Sequence, residues 1–399
     1  MAEIRKPNHN VMLLGGVMTG PEKVDTGNYR QYAARIFLEA LDQLALTVDE
    51  IDIINVAYNE RQIPDGAIGP MMSEVLTGLR KPVIPISAAC AGGGMASYNL
   101  YHYLASGRFD IGAVVTFSTT SLYFPMDTAS AMGNYNDVDY YLGLSHVHYS
   151  SLKESLYRQK FTPGDLTAAA AWARQAHWYG RRNPMAVHNK GPLPSEEDLF
   201  DEGVIGYRTR SASGRSQACC LIFAREQAAE GFDDPLYFSP GIAFRAPYMG
   251  NHFFYPHPEH RDYDITYQPG VGLAAREAMD LAGVSLADVD VFQVHDLTPY
   301  DGMMQLESLG LAEWGRIPEK IIAGETALDG AFPTNTDGGS IAFGHSSVGG
   351  DFSSRLIENM LQIRGQAGER QVADARVALA HAYGTHQSLD AVSILTKPS

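Results

Sequence analysis

The spacing of apolar positions sorts the chain into alternating helices and strands. Ala33, Phe37, Ala40, Leu41 and Leu44 recur at intervals of three and four residues, the period of an amphipathic helix. A Thr/Asp turn follows, and then an apolar run containing INV, which predicts a strand buried on both faces. The same succession returns in the second half of the chain. EALDQLALTVDEIDIINVAYNE (39–60) and EAMDLAGVSLADVDVFQVHDLT (277–298) align without a gap and share five of 22 residues. The common helix–turn–strand pattern points to an internal duplication.

Each copy is followed by further strand and helix patterns. In the first half, VIPISAAC runs into the glycine turn 91–94. A helix over about 95–105 and the strand DIGAVVTFS come next. In the second half, PTNTDGGSIAFGHSSVGG precedes a helix over about 351–364, with Phe352, Leu356 and Met360 on one face. RVALAHAY and DAVSILT read as the last two strands, and the opening segment around VMLLGGVM reads as the first. Residues 121–215 interrupt this order with a Tyr-, His- and Gly-rich stretch that reads as an inserted lid or loop region. QACCLIFARE then resumes the first half. Two βαβαβ-type halves of this kind imply a layered α/β architecture.

Composition narrows the function. The 399 residues are 45% hydrophobic and 19% charged, enough apolar material for a large core. The formal charge of −16 would repel a polyanion, so nucleic-acid binding is not expected. No apolar run approaches the roughly 20 residues of a membrane-spanning helix. The cysteines are Cys90, Cys219 and Cys220, with no CxxC pair. A disulfide framework or a cysteine-ligated metal is not expected, and the reducing cytoplasm is the default compartment.

Cys90 is the first candidate for chemistry. It lies between a predicted strand and a helix N-terminus, where unpaired N–H groups favour a thiolate. Its local alternative is a small buried hydrophobe, the reading adopted for Cys219 and Cys220. His295 ends the duplicated strand of the second half, where α/β proteins place functional side chains. Locally it could equally be a surface histidine beside a capping Asp296. His345 stands in a Gly/Ser-rich loop ahead of a helix, and a thiol nucleophile needs a histidine base of this kind. His252, His257, His260 and Asp262 fit no strong metal pattern and read as a solvated insertion. Arg181, Arg182, Lys190, Arg208, Arg210 and Arg215 form a basic group in the interrupting stretch, best read as a solvated face.

SAACAGGG, HDLTPYDGMMQLESLGL, NTDGGSIAFGHSSVGG and LAHAYGTHQSLDAVSIL, in this order, resemble the motifs of the thiolase superfamily. The likeness is to the sterol-carrier-protein type of thiolase. It implies duplicated βαβαβαββ halves in a layered αβαβα arrangement with an inserted loop domain. The corresponding boundaries are 1–120 with 216–235 for the N-terminal half, 121–215 for the insertion and 236–399 for the C-terminal half. By resemblance, Cys90 accepts an acyl group, His345 activates it, and His295 helps hold an enolate oxygen. The backbone N–H groups of Cys90 and Gly384 would form a second oxyanion hole. Coenzyme A would be a substrate, with no permanently bound cofactor and no metal in this chain. A homodimer and a small OB-fold/zinc-ribbon partner subunit are further implications.

The sequence departs from the family where a second cysteine is usual: Ala382 and Leu297 stand there, and Ser346 replaces the proline after the motif histidine. His146, His381 and His386 are the candidate replacements as acid/base. The departures favour a specialised branch, such as benzoylsuccinyl-CoA-type thiolases cleaving an aromatic 3-oxoacyl-CoA. Tyr123, Phe124, Tyr135, Tyr140, Tyr141 and Tyr149 would suit an aryl pocket. The competing expectations are a C-acyltransferase of the diacetylphloroglucinol type and a noncatalytic acyl-CoA-binding subunit.

Overall fold

The computed structural model describes residues 8–21, 29–58, 67–118, 146–244, 266–346, 350–384, 387 and 389–398, without the side chains of 146–149, 204 and 205. Its strands are β1 (Val11–Met18), β2 (Ile53–Ala57), β3 (Val83–Ile86), β4 (Ile111–Phe117), β5 (Ala218–Arg225), β6 (Leu236–Phe244), β7 (Val291–Gln293), β8 (Val377–Gly384) and β9 (Leu389–Thr396). The first-half helices are α1 (Tyr29–Gln43), α2 (Ile68–Thr77) and α3 (Gly92–Ala105). Helices α4 (His146–Phe161), α5 (Thr167–Arg182), α6 (Glu196–Phe200) and α7 (Val204–Arg210) follow before β5. The remainder are α8 (Pro269–Ala282), α9 (Pro299–Leu309), α10 (Ile317–Ile322), α11 (Gly339–Ala342) and α12 (Gly350–Ile363).

The strands form one mixed sheet in the order β3-β2-β4-β5-β1-β6-β9-β8-β7. The order runs outward from its middle with the same logic on both sides. β1 meets β6, then come the antiparallel pairs β5 with β4 and β9 with β8, then the parallel neighbours β2 and β7. The duplication extends to individual hydrogen bonds. Glu50 accepts from Thr47 N and Oγ1 at 2.8 Å, and the aligned Asp288 accepts from Ser285 N and Oγ at 2.8 and 2.7 Å. Asp52 accepts from the N–H groups of Asp110 and Ile111, where β4 begins. Its counterpart Asp290 accepts from Arg376 and Val377, where β8 begins. Each half thus fastens its next strand with the same carboxylate.

Layering follows from which faces are apolar. In β4, Ala113, Val115 and Phe117 pack under α1 and α2, whereas Val114 faces the opposite side. Helices α5, α8, α9 and α10 cover Phe292, Leu379, Val392 and Ile394 of the second half. Between the halves lie α3 and α12. Their Ala96, Leu100, Leu104, Phe352, Leu356 and Met360 join strand residues of both halves in one core cluster. This is the expected αβαβα arrangement, and it brings the N-termini of the two central helices together. No helix among the described residues is long and apolar enough to cross a membrane.

Close packing of the central helices depends on Gly94. A Cβ there would lie 2.4 Å from Ala391 Cβ and 3.0 Å from Phe352 Cδ2. In an open helix Gly→Ala gains about 1 kcal/mol, but overpacking a core costs about 1–3 kcal/mol. The 2.4 Å approach lets the second effect win. Gly94→Ala is expected to lower the melting temperature by about 2–4 °C per kcal/mol lost, as calorimetry would show; a rise would contradict this packing.

Candidate active site

Cys90 lies in a 3₁₀ turn, Ala89–Ala91, that runs directly into α3. Ala89 has φ +48°, an uncommon left-handed conformation for a residue with a side chain, so the turn is sharp. Gly384, at the end of β8, packs against this turn. A Cβ there would come within 2.3 Å of the Ala88 carbonyl oxygen, which requires glycine. Cys90 is 4% exposed. Cys219 and Cys220 are buried in β5, where burial pushes the Cys219 thiol up to about 12 and Cys220 also upward, away from thiolate character.

His345 comes from the second half, after α11. Its N–H donates to Ser213 O and its carbonyl accepts from Arg215 N, both at 2.8 Å, so the loop is pinned on both sides. The ring joins two partners. Nε2 lies 3.6 Å from Cys90 Sγ, and Nδ1 lies 2.5 Å from Asp351 Oδ2. Asp351 occupies the first turn of α12, where the helix dipole favours a carboxylate, and its Oδ1 accepts from Ser346 N at 2.8 Å. Arg355, one turn later, places NH1 3.4 Å from Asp351 Oδ2 and donates to Ser340 Oγ at 2.7 Å. The result is a Cys–His–Asp chain. Asp351 holds the His345 proton on Nδ1 and leaves Nε2 to exchange a proton with the thiol.

Electrostatics follow from these contacts. Burial disfavours the His345 imidazolium, but the charges of Asp351 and Cys90 outweigh it and raise the pKa to about 10. Burial pushes Asp351 up, while His345 and Arg355 pull it down further, so it stays ionised. A folded pKa of about 10 exceeds the ordinary 6.5, so the stabilisation from protonated His345 is complete below pH 6.5 and is lost as pH rises through 10. The melting-temperature difference between wild type and His345→Gln should therefore narrow between pH 6.5 and 10. A constant difference across that window would contradict the paired state.

His295 follows β7 and is fully buried. Its Nε2 lies 3.7 Å from Asp351 Oδ2, and its ring centroid is 5.3 Å from that of His345. Neither ring nitrogen has a hydrogen-bond partner among the described residues. Burial lowers its pKa well below the ordinary value despite Asp351, so the imidazole is neutral and offers one free N–H. Asp296 is not a helix cap. It is buried, accepts from Ser340 N at 2.7 Å and Trp172 Nε1 at 3.1 Å, and Thr298 caps α9 instead. The donor atoms of Cys90, His295 and His345 lie within 4.8 Å of one another, the one such cluster of possible metal ligands among the described residues.

The other expected residues divide. His381 is near the site, but both nitrogens are engaged: Nδ1 faces the His295 backbone N–H at 3.5 Å and Nε2 faces Asp390 Oδ1 at 3.2 Å. The side chain of His146, and His386 altogether, lie outside the described residues, as do His252, His257, His260 and Asp262. Tyr123, Phe124, Tyr135, Tyr140, Tyr141 and the Tyr149 side chain also lie outside them. Within the basic group, Arg210 is buried against the Leu199 and Asp201 carbonyls, and Arg182 lies over the Trp178 ring at 3.4 Å. Sequence reasoning missed Asp351 and Arg355. The available signal was an acid six residues after His345, at the start of the next helix.

A cysteine turn at one central helix thus faces a histidine anchored by the other. Residues 257–397 match the thiolase C-terminal domain-like family. The acetyl-CoA acetyltransferase of Methanothermobacter thermautotrophicus is 26% identical over 79% of this chain and 80% of its own length. The benzoylsuccinyl-CoA thiolase subunit BbsB of Thauera aromatica is 23% identical over 93% of both. Among solved structures, the Ltp2–ChsH2(DUF35) aldolase superposes with a TM-score of 0.80 at 15% identity, covering 98% of this chain and 99% of that one. Along most of its length the chain is thus similar to members of the thiolase superfamily, and its C-terminal third matches their C-terminal domain.

Proposed function

We propose that this protein is a thiolase-type acyl-CoA acyltransferase that cleaves a bulky, aromatic 3-oxoacyl-CoA through an acyl-enzyme on Cys90. The observation that carries the reading is the Cys90–His345–Asp351 chain at the start of a central helix. His345 takes the thiol proton, and the sulfur attacks the C3 carbonyl. The oxyanion falls between the backbone N–H groups of Cys90 and Gly384. The C2–C3 bond breaks, its electron pair forms the thioester enolate, and the free N–H of His295 holds the enolate oxygen. Preorganised donors of this type are worth about 3 kcal/mol each. Coenzyme A then attacks the acyl-enzyme and releases Cys90.

The full-length similarity to BbsB makes benzoylsuccinyl-CoA the first substrate to try, giving benzoyl-CoA and succinyl-CoA. The description of that relative as a subunit, and the ChsH2(DUF35) component of the structural neighbour, support a small partner protein. A homodimer and a cytoplasmic location complete the reading; the three free cysteines agree with a reducing compartment. Product analysis after mixing with CoA and benzoylsuccinyl-CoA, with and without such a partner, tests it. Formation of both product esters is expected; intact substrate in both mixtures would reject the assignment.

A second reading is favoured by Ala382 and Leu297, which remove the usual second cysteine. Retro-aldol cleavage of a 3-hydroxyacyl-CoA needs an enolate site but no acyl-enzyme. Turnover of a 3-hydroxyacyl-CoA with no covalent adduct on Cys90 would select it.

A further inference from the structure

Carbon–carbon cleavage leaves one proton unassigned. The enolate must be protonated at carbon, and neither Ala382 nor Leu297 can do so. His381 has both nitrogens engaged. Beside Ala382 in β8 stands Tyr383. Its ring stacks on the His295 ring, with centroids 4.2 Å apart and an interplanar angle of 24°. The phenol is 2% exposed, and its hydroxyl interacts with the Asp301 carboxylate without a well-formed hydrogen bond to any described residue. A buried hydroxyl without a well-formed hydrogen bond is uncommon and keeps its proton available for donation.

The surroundings hold this ring in place. Lys153 Nζ lies 5.0 Å from its centroid, is paired with buried Asp301, and approaches Gln387 Oε1 at 3.3 Å. Gly384 locks the end of the strand against the Cys90 turn. Tyr383 is therefore a fixed donor beside the imidazole assigned to the enolate oxygen.

We propose that Tyr383 is the catalytic acid that protonates the thioester enolate, in place of the missing second cysteine. The assignment rests on the acyl-enzyme reading above. When the C2–C3 bond breaks, its electron pair on C2 takes the phenol proton, leaving tyrosinate and protonated His345. Coenzyme A thiol then gives its proton to the tyrosinate as its sulfur attacks the acyl-enzyme. The departing Cys90 thiolate recovers its proton from His345, and the site returns to its starting state. Burial, with the charges of Asp301 and Cys90, raises the phenol pKa well above its ordinary value. The group is thus protonated when the enolate forms and strongly basic when the CoA thiol arrives.

The test compares two donors of one adduct. 3-Oxo-3-phenylpropionyl-CoA and S-(4-nitrophenyl) thiobenzoate both benzoylate Cys90, but the first leaves an enolate and the second a thiolate too weakly basic to need a proton. In Tyr383→Phe, labelling by the oxo ester should slow at least 100-fold, while labelling by the thiobenzoate stays within fivefold of wild type and so reports an intact fold. Tyr383→His, which restores a proton donor, should recover part of the first rate. Equal slowing with both donors, or none with either, would overturn the role of Tyr383. A wild-type protein labelled by neither donor would instead remove the acyl-enzyme reading on which it rests.

Discussion

Cys90→Ala is expected to lower turnover about 10⁴-fold or more, because removing a covalent nucleophile leaves only binding and oxyanion stabilisation. The argument is local. Cys90 alone of the three cysteines sits at a helix N-terminus with a histidine nitrogen on its sulfur at 3.6 Å. Cys219 and Cys220 are sealed in β5 and held as neutral thiols, so they offer no substitute. Alanine fills nearly the same volume at this buried position, so the melting temperature should move far less than the rate. Steady-state assays with the 3-oxoacyl-CoA substrate, paired with calorimetry, separate the two. Turnover within tenfold of wild type would mean that the sulfur is a bystander.

Asp351→Asn should have the next largest effect. Asp351 orients His345 and supplies much of the charge that keeps its imidazolium favourable. The equivalent change in serine protease triads costs about 10⁴ in kcat by selecting the wrong tautomer. A thiol gives up its proton more readily than a serine hydroxyl, so a loss of about 10²–10³ is expected. Removing the negative charge lowers the His345 pKa from about 10, so its imidazolium is less populated at neutral pH. Alkylation of Cys90 by iodoacetamide at pH 7 should slow accordingly. The same change leaves buried Arg355 without its Asp351 partner, and loss of one partner of a buried pair costs about 3–5 kcal/mol. The rate must therefore be expressed per folded molecule. Unchanged alkylation in a folded variant would show that Asp351 supports the helix and not the histidine.

Much of this arrangement was legible before any coordinates. The repeated helix–turn–strand segments predicted the two-fold logic of the sheet, and the structure adds the paired carboxylates Glu50 and Asp288. Cys90 and His295 were marked by strand-end positions and His345 by its loop, because position on an element is a one-dimensional signal. Asp351 carried a weaker mark, since an acid in the first turn of a helix is ordinarily explained by the helix dipole alone. Only the fold shows that its second oxygen reaches back to His345. Tyr383 was hidden for the opposite reason: a tyrosine in an apolar strand reads as packing, and its neighbour His295 is distant in sequence. His381 drew notice as a histidine near a family motif, but whether its nitrogens are free is decided by Asp390 on the adjacent strand.

The central claim is a thioester on one sulfur, and intact-protein mass spectrometry of an acid-quenched mixture with benzoyl-CoA reads it directly. One benzoyl increment per chain is expected, located to the peptide carrying Cys90, absent in Cys90→Ala and discharged by added CoA. An unmodified wild-type chain, or a label that persists in Cys90→Ala, would contradict it.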